Sequence, residues 1–331
     1  MIKGHGDDAY NYKGITSDFS SNICMPAHHH EALMAHLAGH PELIGHYPEP
    51  EAWTLEAMLA KRHGIDPHCV IVTNGATEAI YLIAQTFQFK PVIPSPTFSE
   101  YQDACSCFEE KEDKTALWLC NPNNPDGKVY DEQFIKRMTA KHHLVVLDHS
   151  YEQYTDSTLM APEWGCQTDR IIQIHSFTKT YAIPGLRLGY ITAHESLTQK
   201  MRCFLRPWNV SAIAIEAGKF LLGHDELMCR PDLAEAQRLK QQLLAAGIEV
   251  TPTHTNFMLC RIEGHTAADL KEYLAAEYGM LIRDASNFQD LTPQHFRIAA
   301  QTPTENDALV AAIRQYILES SVNRKSVNRK S

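Results

Sequence analysis

Ser176-Phe177-Thr178-Lys179-Thr180-Tyr181-Ala182-Ile183-Pro184-Gly185-Leu186-Arg187-Leu188-Gly189 is the stretch on which the reading of this chain turns. Immediately upstream, residues 170–175 carry Ile171, Ile172 and Ile174, β-branched side chains that suit a short buried strand. Lys179 therefore falls on the loop where that strand ends, the place where open α/β sheets keep their ligands. A lysine on a rigid, partly desolvated shelf gives up its proton more readily and can attack a carbonyl carbon. Eight residues further on, Arg187 offers a planar fork of donors suited to a phosphate. A surface lysine after a strand would look the same in isolation, so the weight falls on the flanking segments.

Upstream, the apolar residues 116–120 run into Asn121-Pro122-Asn123-Asn124-Pro125-Asp126-Gly127. The prolines stop the strand and the glycine closes a tight turn, which presents Asn124 at a strand's carboxyl end. The run Leu144-Val145-Val146-Leu147 leads directly into Asp148-His149-Ser150-Tyr151. An aspartate at the end of a continuous apolar strand is costly unless a charged or hydrogen-bonding partner meets it. Val70-Ile71-Val72-Thr73 reads as another strand, followed by Asn74-Gly75-Ala76-Thr77-Glu78 as a turn opening into a helix. Backbone N–H groups at a helix N-terminus favour an anion, and Gly75 permits close approach. An ordinary helix capped by Thr77 is the alternative. Aromatic residues Phe98 and Tyr101 follow a Pro-rich turn and could equally be core.

Composition agrees with a globular α/β protein. The 331 residues suffice for more than one domain, and 44% hydrophobic with 21% charged residues excludes disorder. A net charge of −10 without a dense basic stripe disfavours nucleic acid. No apolar run reaches membrane-spanning length and no signal-peptide core is present, so no membrane role is expected. The nine cysteines lack Cys-x-x-Cys spacing, which fits a reducing cytoplasm and no zinc site. His28-His29-His30 reads as solvated polar surface rather than a metal tract.

Strands alternate with helical stretches at 54–63, 77–86 and 131–141, which predicts a mostly parallel sheet with helices on both faces. Pro207-Trp208-Asn209 breaks that pattern. Helices at 212–222, 231–246, 266–278 and 305–319, with strands at 256–261 and 296–300, then read as a smaller α+β domain. The expected organisation is an N-terminal arm with a small-domain segment at 1–40, a large domain at 41–207, a small domain at 208–320 and a disordered basic tail at 321–331.

Strand-end Asn124, Asp148, Tyr151 and Lys179, in that order, resemble the cofactor site of the fold-type-I pyridoxal-phosphate (PLP) enzymes, and the resemblance covers most of the chain. It implies that Lys179 carries PLP covalently, that Asp148 is the counter-ion of the pyridine nitrogen, and that Asn124 and Tyr151 bond the 3-hydroxyl. Gly75, Ala76 and Thr77 match the phosphate cup, together with Ser176, Thr178 and Arg187. Phe98 matches the aromatic that stacks on the ring, with Tyr101 as the alternative. Tyr47 matches a tyrosine that reaches the partner subunit's cofactor, so a homodimer with shared active sites is implied.

Arg297 matches the arginine that takes a substrate carboxylate, and Arg283 a second anion-binding arginine of the branch that handles phosphorylated substrates. That branch holds threonine-phosphate decarboxylases, which serve cobalamin biosynthesis, and histidinol-phosphate aminotransferases. Gly4-His5-Gly6 and Asp18-Phe19-Ser20-Ser21-Asn22-Ile23 resemble the decarboxylases' opening segments, in which His5 and Asn22 approach the substrate. The resemblance thus implies decarboxylation of a small phosphorylated amino acid, with transamination as the alternative. A PLP-sensing regulator would need a DNA-binding segment that the chain does not show.

Overall fold

The computed structural model describes residues 8–24 and 30–327, so His5, His28 and His29 lie outside the described residues. The chain divides into two compact units, one of Ile23–Asn123 with Val129–Arg230, the other of Met1–Asn22, Asn124–Lys128 and Pro231–Ser331.

The first strand, β1 (Ser17–Asp18), belongs to the second of these. The larger unit is built on β2 (Val70–Thr73), β3 (Phe89–Val92), β4 (Glu112–Cys120), β5 (Leu144–Asp148), β6 (Ile171–Ser176) and β7 (Gly189–Ala193). They form a six-stranded sheet in the order β2-β7-β6-β5-β4-β3. β3, β4, β5 and β6 pair in parallel, whereas β7 runs antiparallel to both β6 and β2. The exception has a local cause. Between β6 and β7 lie only the one-turn helix Phe177–Thr180 and the 3-10 turn Pro184–Leu186, and no helix carries the chain back across the sheet as a parallel crossover requires. Lys179 accordingly sits in a helical turn, not in the irregular loop that the sequence predicts.

β5, β6 and β7 are buried at every position, as expected of strands covered on both faces. The helix Gly75–Phe87 turns Ala79, Ile80 and Ile83 inward. Its start lies against the start of β7, where a Cβ on Gly189 would stand 2.8 Å from the Ala76 nitrogen, so only glycine fits. Ala212–Leu222, expected in the smaller domain, instead packs in this unit, joining Ala214, Ile215, Ala217 and Leu221 to Leu55 and Leu59. Pro207-Trp208-Asn209 interrupts the chain without ending the hydrophobic core, and Trp208 takes a positive φ there.

The smaller unit holds β8 (Glu249–Val250), β9 (Phe257–Arg261), β10 (Met280–Leu281), β11 (Arg283–Asp284) and β12 (His295–Ala299). An antiparallel sheet runs β11-β12-β9-β8, and β1 pairs in parallel with β10. The helices Leu233–Ala245 and Ala267–Tyr278 supply Leu239, Leu243, Leu270 and Leu274 to its core. The closing helix Pro303–Val327 continues past Ser321, where the sequence predicts a disordered tail, because the repeated Ser-Val-Asn-Arg-Lys holds no proline or glycine to stop it.

Phe19 fastens the N-terminal segment to this unit. Its ring is wholly buried, its N–H bonds the Leu281 carbonyl at 2.8 Å, and its carbonyl accepts from Ala299 N–H at 2.9 Å. Phe19→Ala is expected to cost about 3–5 kcal/mol, read as faster hydrogen exchange of the β9 and β12 amides. Unchanged exchange there would mean that the segment is not part of the core.

Candidate active site

The carboxyl ends of the larger unit's parallel strands gather three groups of side chains. The first begins at the helix Gly75–Phe87. Its N-cap residue Asn74 provides no side-chain cap, which leaves the first-turn N–H groups of Gly75, Ala76 and Thr77 directed outward. Thr77 is therefore not the N-cap that an ordinary helix start would make of it. Gly75 takes φ +80°, and a Cβ there would meet Arg187 Nη2 at 2.6 Å. The glycine edge and the guanidinium thus share one small space. Arg187 is exposed, takes φ +55°, and donates from Nη1 to the Pro184 carbonyl at 3.2 Å. Main-chain donors and a guanidinium around one position form a cradle for an anion.

The second group surrounds Asp148, the last residue of β5. It is 4% exposed, and its oxygens accept from Ser150 N–H at 2.8 Å and from the Tyr101 hydroxyl at 2.7 Å. Burial pushes its carboxyl up from 3.8, while the bonds from Ser150 and Tyr101 pull the other way. Both of these donors are neutral, so a cation brought beside Asp148 would gain from a charge that the fold already bears at a cost. Tyr101, weighed from sequence as a ring stacker, is itself 1% exposed and lies stacked on Trp118. Its hydroxyl is committed to Asp148, a role that sequence reasoning missed because nothing in the turn near Pro96 signals it. Phe98 is half-buried and meets Tyr101 edge-on.

The third group is the turn after β6. Lys179 is half-buried, with Nζ 5.7 Å from the centre of the Tyr151 ring. Its carbonyl accepts from the Tyr154 hydroxyl at 3.2 Å, and Tyr154 in turn accepts from Cys24 N–H at 3.0 Å. Ser176 and Thr178 are buried, and Thr180 Oγ1 donates to the Ser176 carbonyl, which stiffens the turn. Tyr47 stands apart from these groups in its exposure, at 86%, with its ring tilted against Trp208. His30, predicted to be solvated, is half-buried, with Nε2 2.6 Å from the Ala182 carbonyl.

The smaller unit carries the remaining predicted residues except His5. Arg283 on β11 and Arg297 on β12 are direct cross-strand partners, and they are 6% and 5% exposed. Arg297 donates to Asn124 Oδ1 at 2.6 Å and to the Ser20 carbonyl. That orients Asn124, whose amide nitrogen remains as its donor end. Arg283 donates to Asn287 Oδ1 at 2.7 Å and to the Asp284 carbonyl, and burial works against its charge. The sequence allowed a surface ion pair with Asp284 or Asp290; the guanidinium is instead buried, and the charges of Asp284 and Asp8 favour its cationic form against that burial. Asn22 is 1% exposed. Like charges opposite one another weaken a sheet, so the pairing of two buried arginines carries a cost that anions beside them would offset.

The model of the aminotransferase class I and II family matches residues 108–313. The chain is 37% identical to the L-threonine-O-3-phosphate decarboxylase of Porphyromonas gingivalis, with a TM-score of 0.85 over 91% of this chain and 99% of that one. It is 28% identical to the threonine-phosphate decarboxylase of Salmonella typhimurium over 91% of each chain. It is 29% identical to the histidinol-phosphate aminotransferase of Caldanaerobacter subterraneus subsp. tengcongensis, over 82% of this chain and 84% of the other.

The raised carboxyl of Asp148 sets a sign. A buried acid with a raised value favours the fold fully below its unfolded value of 3.8, and loses that contribution as pH rises through the folded value. Asp148→Asn removes the titration but can still pair with Ser150 and Tyr101. In the cofactor-free protein this variant is expected to melt higher than the unsubstituted chain at pH 7, with the advantage fading as the pH falls towards 3.8. A lower melting temperature at pH 7 would show that the carboxylate is favourably held without a cation.

Proposed function

We propose that this chain, which belongs to the aminotransferase class I and II family of PLP enzymes, decarboxylates L-threonine O-3-phosphate to (R)-1-amino-2-propanol O-2-phosphate and CO₂. The residues present fit the cofactor. The uncapped helix start with Gly75 and Arg187 suits its phosphate, and the buried Asp148, bonded only to neutral donors, suits a protonated ring nitrogen. Ser176, Thr178 and the N–H groups of Ala76 and Thr77 complete the phosphate end. Tyr151 and the Asn124 amide serve the ring hydroxyl, Phe98 its face, and Lys179 the aldehyde carbon. When bound, PLP supplies an electron sink for the pair left on Cα as a bond to it breaks.

The observation that carries the substrate is the cross-strand pair Arg283–Arg297, buried together in the smaller unit. Two forked cations side by side suit a substrate with two anionic ends. Arg297, fixed by Asn124 and Ser20, takes the carboxylate and steers it; Arg283 takes the phosphate, with Asn22 and His5 as further contacts. Lys179 Nζ would return a proton to Cα after CO₂ has left. Histidinol phosphate carries a phosphate but no carboxylate, so the same arginine pair would serve a transaminase only through its 2-oxo acid. The greater similarity to the Porphyromonas gingivalis decarboxylase, 37% identical against 29% for the aminotransferase, favours the decarboxylase.

A homodimer belongs to the same proposal. Tyr47 and Ile44 are 86% and 82% exposed on the larger unit; a second copy would cover them, and Tyr47 would reach the partner's cofactor phosphate. A cytoplasmic location is supported by unbridged thiols at Cys69, Cys105, Cys166 and Cys260. Among the described residues no helix is long and apolar enough to cross a membrane.

PLP-loaded protein given L-threonine O-3-phosphate is expected to release CO₂ without a 2-oxo acid. No CO₂ release, together with 2-oxoglutarate-dependent turnover of histidinol phosphate, would replace this reading with the transaminase. The arginines are separable. Arg283→Ala should lower kcat/KM for the phosphorylated substrate by roughly one to two decades, the equivalent of about 1.5–3 kcal/mol for a charged hydrogen bond. It should change turnover of unphosphorylated L-threonine little. Equal losses on both substrates would remove the phosphate role from Arg283.

A further inference from the structure

Three side chains that this chemistry does not use converge inside the larger unit: His149 just past β5, Glu152, and His175 on β6. One ligating atom from each lies no more than 4.8 Å from the others. His149 is 1% exposed and His175 fully buried. His149 Nε2 is sealed from solvent and has no hydrogen-bond partner, an uncommon state for a buried polar atom that calls for a reason.

The neighbouring hydrogen bonds fix what His175 presents. Gln173 Nε2 donates to the Met160 carbonyl at 3.0 Å, which leaves Oε1 to accept from the Thr192 hydroxyl at 3.1 Å. Thr192 has a single proton to give, so at its 3.1 Å contact with His175 Nε2 the imidazole is the donor. The opposite nitrogen, Nδ1, then faces Glu152 Oε2 at 3.2 Å. A lone pair meets a carboxylate there unless a cation comes between them. A proton would answer that contact but leave His149 Nε2 unmet, whereas a metal ion answers both.

We propose that His149 Nε2, Glu152 Oε2 and His175 Nδ1 bind one divalent transition-metal ion of the zinc class. Two imidazoles and one carboxylate are a zinc donor set. The bond from His175 Nε2 to Thr192 is the outer hydrogen bond that orients a ligating histidine. Tetrahedral bonds of about 2.1 Å put two donors about 3.4 Å apart on one ion, so a site whose donors lie within 4.8 Å of one another closes by up to about 1.4 Å on binding. Of the three ligands, Glu152 also lines a cavity of about 80 Å³ with His63 and Tyr190, which has room for a water. The sequence predicts no metal because the ligands are not spaced as a motif: β5 and β6 are separate strands, paired in register from Val145 to Asp148 with Ile171 to Ile174.

The test is a titration of PLP-loaded, chelator-treated protein with Co²⁺ alone. One equivalent is expected to give the intense visible absorption of a four-coordinate ion, which Zn²⁺ then abolishes. His149→Gln and Glu152→Gln should each weaken binding at least about tenfold, and Thr192→Val by about 10–100-fold. His36→Gln, in a separate cluster with His40 and Glu216, should leave it unchanged. If His149→Gln does not fold, Glu152→Gln and Thr192→Val decide the matter. Failure of the intact protein to take up one equivalent, or native affinity persisting in the folded variants, overturns the proposal.

Discussion

A carboxylate buried at the end of β5 is the constraint around which the larger unit is arranged. Asp148 is nearly sealed from water, and its two bonds come from a backbone N–H and a phenol. Neither donor neutralises it, so burial dominates and its carboxyl is raised. A protein has little reason to keep such a group unless a cation arrives to relieve it. The parallel sheet brings the group to a strand end, where a ligand can reach it, and Tyr101, stacked on Trp118, holds it in place. The proposed PLP site follows from that single unfavourable burial.

The smaller unit shows the complementary arrangement, in positive charge. Arg283 and Arg297 are cross-strand partners on β11 and β12, and each donates to a backbone carbonyl and to a side-chain amide oxygen. An antiparallel pair places directly opposed residues on one face, so the register itself puts the two arginine side chains on the same face of the sheet. The substrate assignment rests on this pairing more than on any residue of the larger unit, because the cofactor contacts are common to transaminases and decarboxylases alike.

The readable part of the sequence was the part with strong local signals. Continuous β-branched runs marked β2, β5 and β6, and the apolar run at 116–120 marked the core of β4, because strands buried on both faces need apolar side chains throughout. Asp148 stands out because it ends such a run with a buried charge, whereas Asn124 and Lys179 stand out by the turns that follow β4 and β6 and by their order with Asp148. What was not legible depends on contacts between distant residues. The Tyr101–Asp148 bond spans 47 residues, and the β11–β12 register that opposes Arg283 to Arg297 has no signature in either strand alone. Nor does the short stretch from Phe177 to Leu188 announce that β7 returns antiparallel. The Pro-Trp-Asn break reads as a boundary whether or not the core continues past it, and here the helix Ala212–Leu222 continues the core of the larger unit. The buried trio His149, Glu152 and His175 escaped notice because a histidine in an apolar strand ordinarily reads as core.

The central claim is that Asp148 keeps a proton on the ring nitrogen of bound cofactor. Nitrogen-15 NMR of the protein reconstituted with ring-labelled PLP reads that proton directly. The account predicts a pyridinium-type shift at pH 8 in the intact protein and a neutral-pyridine shift in Asp148→Ala. A neutral-pyridine shift in the intact protein, with PLP bound at Lys179, would contradict it.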